Sequence, residues 1–362
     1  MFRSKRSALV KRLWKNRLHN EATGENESSL SLSPELDTEI KSVAQSMLKR
    51  LKEKQLEMLC QSIETKGGET TGCVLLPNSD LRLGKRSVAP HILCCQLWRW
   101  SDITPNTELK RLPHCESADD PAYMCCNPYH WSIQQKTDTP YTNGNWSKIS
   151  RLKITEIDHI DESVMDVSTE TGNTPTPRRL DFSGDTTNCS SRGPHWCTVA
   201  YWELRQRVGR LFTVFDSSIN IFQSLPHGGG LSLEVLQQGT AMEAVARTRE
   251  KIGFGLVLSR EDSGVWLYNR SLFPVFVNSS WFDTPNSRTP IVIKLLPGRS
   301  IKIFDYDCVE FLKGMKDARF VDGPYDPRSI RISFAKGWGP TYHRQFVTSC
   351  PCWLEVLLNI DR

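Results

Sequence analysis

The sequence lacks the marks of most enzyme classes. It contains no His-Glu-x-x-His, no Walker-type glycine loop and no Gly-x-Ser-x-Gly, which removes the usual seats of zinc peptidase, nucleotide hydrolase and α/β-hydrolase chemistry. His227-Gly228-Gly229-Gly230 resembles an oxyanion-hole loop, but without a nucleophile elbow it reads as a turn. Long apolar runs are missing too. None approaches the roughly 18 residues of a membrane span, so no direct membrane insertion is expected. The only apolar run near the start, Ala8-Leu9-Val10, is too short for the core of a signal peptide. The expected location is therefore cytoplasm and nucleus. In a reducing compartment the 12 cysteines read as metal ligands or buried thiols rather than as disulfides.

What is present suggests two domains. At roughly 100–200 residues per domain, 362 residues hold two and a connector. The net charge is +5. Residues 1–20 carry seven Lys or Arg and no acid, and residues 1–33 read as a basic N-terminal arm and linker. Ser33-Pro34 marks a helix start, after which Ile40, Val43, Ala44, Met47, Leu48 and Leu51 recur at helical spacing; the helical pattern continues in some form to about Lys66. Residues 34–131 form the first domain, in which Val74–Leu76 and Ile92–Leu97 read as strands. Residues 132–194, rich in Thr, Ser, Asp, Asn, Gly and Pro, read as a disordered linker. It includes the acidic-aliphatic run ITEIDHIDESVMDV and the dipeptides Thr174-Pro175 and Thr176-Pro177. Residues 195–362 hold eight strand-like runs, from Thr198–Leu204 to Trp353–Leu358, and two helices, Ala241–Ile252 and Asp305–Met315. Many strands with few helices indicate a β-sandwich with helices packed at its ends.

The sharpest chemical signal is Cys115-x9-Cys125-x4-His130 with Cys73 upstream. Three thiolates and one imidazole satisfy tetrahedral zinc and leave no open position, so such a site is structural. Cys126 also stands at ligand spacing from His130, and a set of buried thiols is the competing reading. A second signal is cationic. Arg247, Arg249 and Lys251 fall on or near the end of a helix, while Lys336, His343 and Arg344 flank Gly337-Trp338-Gly339. Clustered Arg and Lys recognise phosphate by charge-assisted hydrogen bonds; the alternative is scattered, solvated charge.

CQLWRWSDI at 95–103 and CCNPYHW at 125–131 resemble the N-terminal Mad-homology domain of Smads. HWCTVAYWELRQRVGRLF at 195–212 and ISFAKGWGPTYHRQFVTSCPCWLE at 332–355 resemble the C-terminal one, which is FHA-like. The start MFRSKRSALVKRLWK and the ending LEVLLNIDR are like those of inhibitory Smads, and the Ser-Ser-x-Ser tail of activated members is missing. GFGLVLS at 253–259 looks closest to the homologue-six subtype. The resemblance implies a non-enzymatic negative regulator of TGF-β and BMP signalling. It would dock on activated type I receptor serine/threonine kinases or compete with other Smads, with nuclear co-repressors as further partners. It implies a structural Zn2+ on Cys73, Cys115, Cys125 and His130, not Cys126. It also places a DNA-reading hairpin near Asp80–Pro90, here short, with Arg82 at a base-contacting position and Gly84 where glutamine is expected. The alternative is therefore a zinc-stabilised DNA-binding regulator. Ubiquitin ligases are expected partners of the family through Pro-Pro-x-Tyr, but this chain has only Thr139-Pro140-Tyr141. The expected docking residues are Arg247, Lys251, Lys336, Trp338 and Arg344, forming one basic groove.

Overall fold

The computed structural model describes residues 5–18, 34–83, 86–117, 120–136, 194–226, 229–237, 239, 241–282, 290–307 and 328–359. The acidic-aliphatic run, both Thr-Pro dipeptides, Gly84 and His227-Gly228 lie outside them.

The first domain opens with α1 (Lys5–Lys15), α2 (Pro34–Arg50) and α3 (Glu53–Glu64). The basic stretch expected as an arm is thus in part a helix. Leu9 and Leu13 are buried against Leu56, Leu59 and Ile63 of α3 and Met47 of α2, and Trp98 Nε1 donates to the Leu13 carbonyl at 3.0 Å. Apolar residues on one face of α1 overcome its charge, which stays on the outer face where Arg12 pairs with Glu64. The domain therefore begins before residue 34. The helical pattern to Lys66 breaks at Leu51-Lys52, where Lys52 is extended and its N–H donates to Gln55 Oε1 at 3.1 Å.

Three short strands follow, β1 (Leu75–Pro77), β2 (Leu81–Leu83) and β3 (Arg86–Val88), then α4 (Pro90–Trp98). Ile92–Leu97, expected as a strand, is helical. Pro90 sits in the first turn, and seven of the nine residues are buried. An apolar run buried on all sides carries no period to separate helix from strand, and the first-turn proline is the local cue that favours the helix. The domain closes with β4 (Leu109–Arg111), β5 (Tyr123–Cys125) and β6 (Trp131–Gln134), so it runs past the expected limit at 131.

The second domain contains β7 (Cys197–Glu203), β8 (Gln206–Val214), β9 (Ser218–Phe222), β10 (Leu231–Ser232), α5 (Leu233–Leu236), α6 (Glu243–Ile252), β11 (Leu256–Glu261), β12 (Gly264–Asn269), β13 (Val275–Asn278), β14 (Ile293–Leu295), β15 (Arg299–Asp305), β16 (Ser329–Phe334) and β17 (Trp353–Leu358). β9, β10 and β11 are strands that the sequence pattern did not mark. The helix expected from Asp305 begins one residue later, since Asp305 ends β15 and Tyr306 and Asp307 are helical; residues 308–315 lie outside the described ones. One sheet has the order β14-β13-β16-β17-β7-β8 and the other β10-β9-β11-β12-β15-β6-β4. Their facing side chains, among them Ile221, Leu258, Leu267, Ile301, Ile332 and Leu354, form one buried core. This is the expected sandwich.

The second sheet is completed by the first domain. β6 pairs in parallel with β15, matching Ile133 to Arg299, and the buried Ser300 Oγ donates to Ser132 Oγ at 2.6 Å. Lys110 reaches Glu261 at 2.5 Å, and the Gly298 Cα packs against Trp100, where a Cβ would come within 2.9 Å of the indole. The two domains meet as one continuous sheet.

Within the second domain, Arg249 and Glu203 form a two-point ion pair at 2.7 and 2.8 Å, with side chains only 16% and 14% exposed. Tyr201 O–H donates to the same carboxylate at 2.8 Å. Removing one partner strands a poorly hydrated charge, so Glu203→Ala should cost about 3 kcal/mol. For a domain of this size that is a fall of roughly 6–12 °C in the calorimetric melt; an unchanged melt would show the pair to be idle.

Candidate functional site

Cys73, Cys115, Cys125 and His130 converge from four places in the first domain. Their ligand atoms lie within 4.8 Å of one another. Cys73 precedes β1, Cys125 ends β5, Cys115 closes a turn after β4, and His130 lies in a 3-10 turn at Pro128–His130. β1 and β5 are paired, Leu75 opposite Cys125, which fixes the first and third ligands side by side.

The distances test whether a metal fits. A tetrahedral zinc with Zn–S of about 2.3 Å and Zn–N of about 2.05 Å has S···S edges of about 3.8 Å and S···N edges of about 3.6 Å. Cys73 Sγ lies 3.8 Å from Cys115 Sγ and 3.6 Å from His130 Nδ1, and Cys125 Sγ lies 3.5 Å from His130 Nδ1. The imidazole is oriented from behind: Nε2 donates to the Thr71 carbonyl at 3.0 Å, which leaves Nδ1 as the free acceptor. The four side chains fit a four-coordinate zinc and offer no fifth partner for substrate.

Electrostatics agree. The Cys115 thiol is pushed far down by hydrogen bonds from Cys125 and Cys73, while Cys125, as donor, is pushed far up. Burial works against a charge on His130, yet hydrogen bonds to Cys115 and Cys73 raise it to about 9. Without a metal, protons must supply the positive charge this pocket calls for. A bound cation replaces them, so affinity should fall as pH falls.

Cys126 is not part of this set. It is 1% exposed in the helical core, and its Sγ donates to the Met124 carbonyl at 3.7 Å. Adjacent residues at the end of a strand point to opposite faces, so one of Cys125 and Cys126 meets the ligands and the other the core.

Asn127 carries a role that spacing did not reveal. Fully buried, it receives Ser62 Oγ–H at 2.7 Å and the Tyr129 N–H at 3.1 Å, and donates to Thr71 Oγ1 at 2.9 Å. It ties the loop before Cys73 to the turn that presents His130. Its position between Cys125 and His130 was the available cue, since Asn-Pro favours a capped turn.

In the short hairpin, Arg82 is exposed and stands opposite Ser87.

The cationic residues of the second domain divide. Lys336 and Arg344 are half-buried at the two ends of one loop, closed by the Gly339 N–H donating to the Arg344 carbonyl at 2.7 Å. Among the described residues neither has a carboxylate partner. Trp338 is 3% exposed and packs with Phe276, Val347, Cys350 and Trp353. It anchors the loop and is too buried to touch a partner, which corrects its expected place on the groove's surface. Gly337 is needed there, because a Cβ would lie 2.6 Å from the Tyr342 ring. On α6, Arg247 is exposed and pairs with Glu243 at 2.6 Å, and Arg249 is taken up by Glu203. Lys251 lies 5.5 Å from the Phe273 ring centroid. The next residue, Pro274, accepts from the Ala335 N–H at 3.0 Å, so the end of α6 and the base of the 336–344 loop are joined through one turn.

Comparison with known proteins agrees with this division. The MH1 domain model matches residues 40–135 and the MH2 domain model residues 194–359. The chain is 47% identical over 348 residues to mothers against decapentaplegic homolog 6 of Gallus gallus, covering 94% of this chain and 79% of that one. It is 41% identical over 340 residues to homolog 7 of Homo sapiens, covering 89% and 79%, and 29% identical over 299 residues to dwarfin sma-3 of Caenorhabditis elegans, covering 77% and 75%.

Proposed function

The chain belongs to the Smad family of mothers-against-decapentaplegic proteins, and from that premise we propose that it is an inhibitory Smad. In this reading it is a non-enzymatic negative regulator of TGF-β and BMP signalling. It docks on activated type I receptor serine/threonine kinases or competes for activated Smads, acts in cytoplasm and nucleus, and can join nuclear co-repressors. The observation that carries the reading is the loop from Lys336 to Arg344. It holds two cations without carboxylate partners among the described residues on a buried tryptophan, and its base bonds to Pro274, next to the Phe273 ring that Lys251 approaches. A phosphorylated residue brings nearly two negative charges and three acceptor oxygens to such a surface. The test is a pull-down with receptor cytoplasmic domains. Phosphorylated domain should be retained and unphosphorylated domain not; equal retention of both, or of neither, overturns the reading.

In the first domain we assign Cys73, Cys115, Cys125 and His130 to a structural zinc, for the distances given above. The second reading, a zinc-stabilised DNA-binding regulator, is favoured by one observation, the exposed Arg82 on the hairpin. Three-residue strands joined at Gly84-Lys85 offer few side chains to reach base edges. Binding to duplex DNA should therefore be weak, steeply salt-dependent and nearly indifferent to sequence. Mobility shifts with a Smad-type site against random duplex would refute this by showing discrimination of about 10³ or more.

A further inference from the structure

Where the two domains meet lies a cavity of about 250 Å³. It is lined from the first domain by Lys66, Arg99 and Trp100 and from the second by Tyr268 and Arg270. Arg99 and Arg270 face it with no acidic partner: among the described residues neither forms an ion pair. Arg99 lies 4.0 Å from the Trp100 ring centroid. It donates to the Pro128 carbonyl at 2.7 Å and from Nη2 to the Tyr268 hydroxyl, across the seam, at 2.5 Å. Arg270 donates from Nη2 to the Gly67 carbonyl, also across the seam, at 2.5 Å. Each guanidinium has five N–H donors, and Nε of both is left over among these bonds. Neutral carbonyls satisfy donors but do not cancel charge.

The two charges also work against each other. Burial, and then the neighbouring Arg99, holds Arg270 below the usual arginine value. Buried charge is normally paired. Here two like charges share one cavity, with Lys66 at its rim. Glu69 also lines it, but its carboxylate takes the Gln61 amide at 2.5 Å, and it pairs with neither guanidinium.

We propose that this cavity is a binding site for a phosphate-bearing anion, held between Arg99 and Arg270 and bridging the two domains. Size and chemistry both select this class. Drug-sized ligands need about 300–1,000 Å³, so the space admits a small anion or a single headgroup. Two forked donors lining one cavity match a tetrahedral dianion, whose oxygens point in several directions, better than a planar carboxylate. Because one arginine belongs to each domain, the anion stabilises the docked arrangement over separated domains, and its affinity falls when the domains part. No residue of the 336–344 loop lines the cavity, and the proposal does not depend on the receptor reading.

The test uses the full-length chain. Sodium phosphate is titrated calorimetrically at constant ionic strength, beside Arg99→Gln, Arg270→Gln and the surface control Arg50→Gln. Saturable, one-to-one uptake in the millimolar range or tighter is expected, weakened roughly tenfold or more by each seam substitution and unchanged by the control. Both arginines also hold the seam, so Arg99→Lys and Arg270→Lys are measured with them. These keep the charge and lose the fork, and their binding should be intermediate. Hydrogen exchange on the unsubstituted chain needs no variant: phosphate should slow exchange around residues 66–72, 98–101 and 268–272. Two further probes separate the sources of phosphate. Uptake of free inositol phosphate without binding to phosphoinositide vesicles identifies a soluble ligand; vesicle binding lost in the Gln variants identifies a lipid headgroup. No saturable uptake of any of these probes by the unsubstituted chain, no localised protection, or folded Gln variants that bind as well as the parent would each overturn the proposal.

Discussion

Cys125→Ser, or a strong chelator, should unfold the N-terminal domain of this chain and leave the second domain standing. The four ligands come from segments with little other regular structure: β1 and β5 have three residues each, and the turn carrying His130 has three. Structural zinc in small domains contributes about 10–16 kcal/mol at neutral pH, against a whole-domain margin of about 5–15 kcal/mol. Losing the metal therefore exceeds what the helical core can absorb. The second domain keeps its own continuous core between two sheets, and only β6 and β4 leave the edge of one of them. A parent chain should carry about one zinc by mass spectrometry of metals and melt cooperatively through the seam. The variant should carry none and lose the far-ultraviolet helical signal of α1 to α4 while a separate transition for the sandwich persists. Acid should act in the same direction, because protons compete for His130 and the thiolates; zinc release should accompany loss of helix as pH falls below neutrality. A metal-free first domain with an undiminished melt would sink the assignment.

Lys336→Glu with Arg344→Glu should abolish binding to phosphorylated receptor and, with it, inhibition of signalling. A charge-assisted hydrogen bond contributes about 1.5–3 kcal/mol, so one lost contact weakens binding roughly tenfold to a hundredfold. Reversing two charges adds repulsion from a phosphate dianion. The thermal melt should scarcely move, since both side chains are half-buried at the loop ends and neither belongs to the core. Trp338→Ala provides the contrast. It removes a buried anchor, so it should lower the melt and binding together. If the double charge reversal folds and still binds phosphorylated receptor at full strength, the loop is not the docking surface.

Much of this was visible in the linear sequence, for a local reason. The strand-like run Trp353–Leu358, the amphipathic stripe through Met47 and Leu51 and the Cys-x9-Cys-x4-His spacing are all short-range patterns. Each constrains neighbours within one or two turns or strands, and each reappears in the structure. Patterns failed where short range carries no information. Ile92–Leu97 is apolar on every side, so its period could not distinguish helix from strand. The basic residues of 1–20 concealed Leu9 and Leu13, whose burial depends on α3 more than forty residues away.

The sequence by itself determined the two-domain plan, the sandwich and the residues able to bind a metal, because these follow from periodicity and from donor chemistry. Spacing alone left Cys125 and Cys126 both open and the family resemblance favoured Cys125, which the tertiary structure turns to the ligands; only the tertiary structure decided that Arg249 is spent on Glu203 and that Trp338 is buried. It alone joined β6 to β15 and placed Arg99 against Arg270. Those outcomes depend on contacts between segments far apart in the chain, where loop closure and packing, rather than local preference, select the partner.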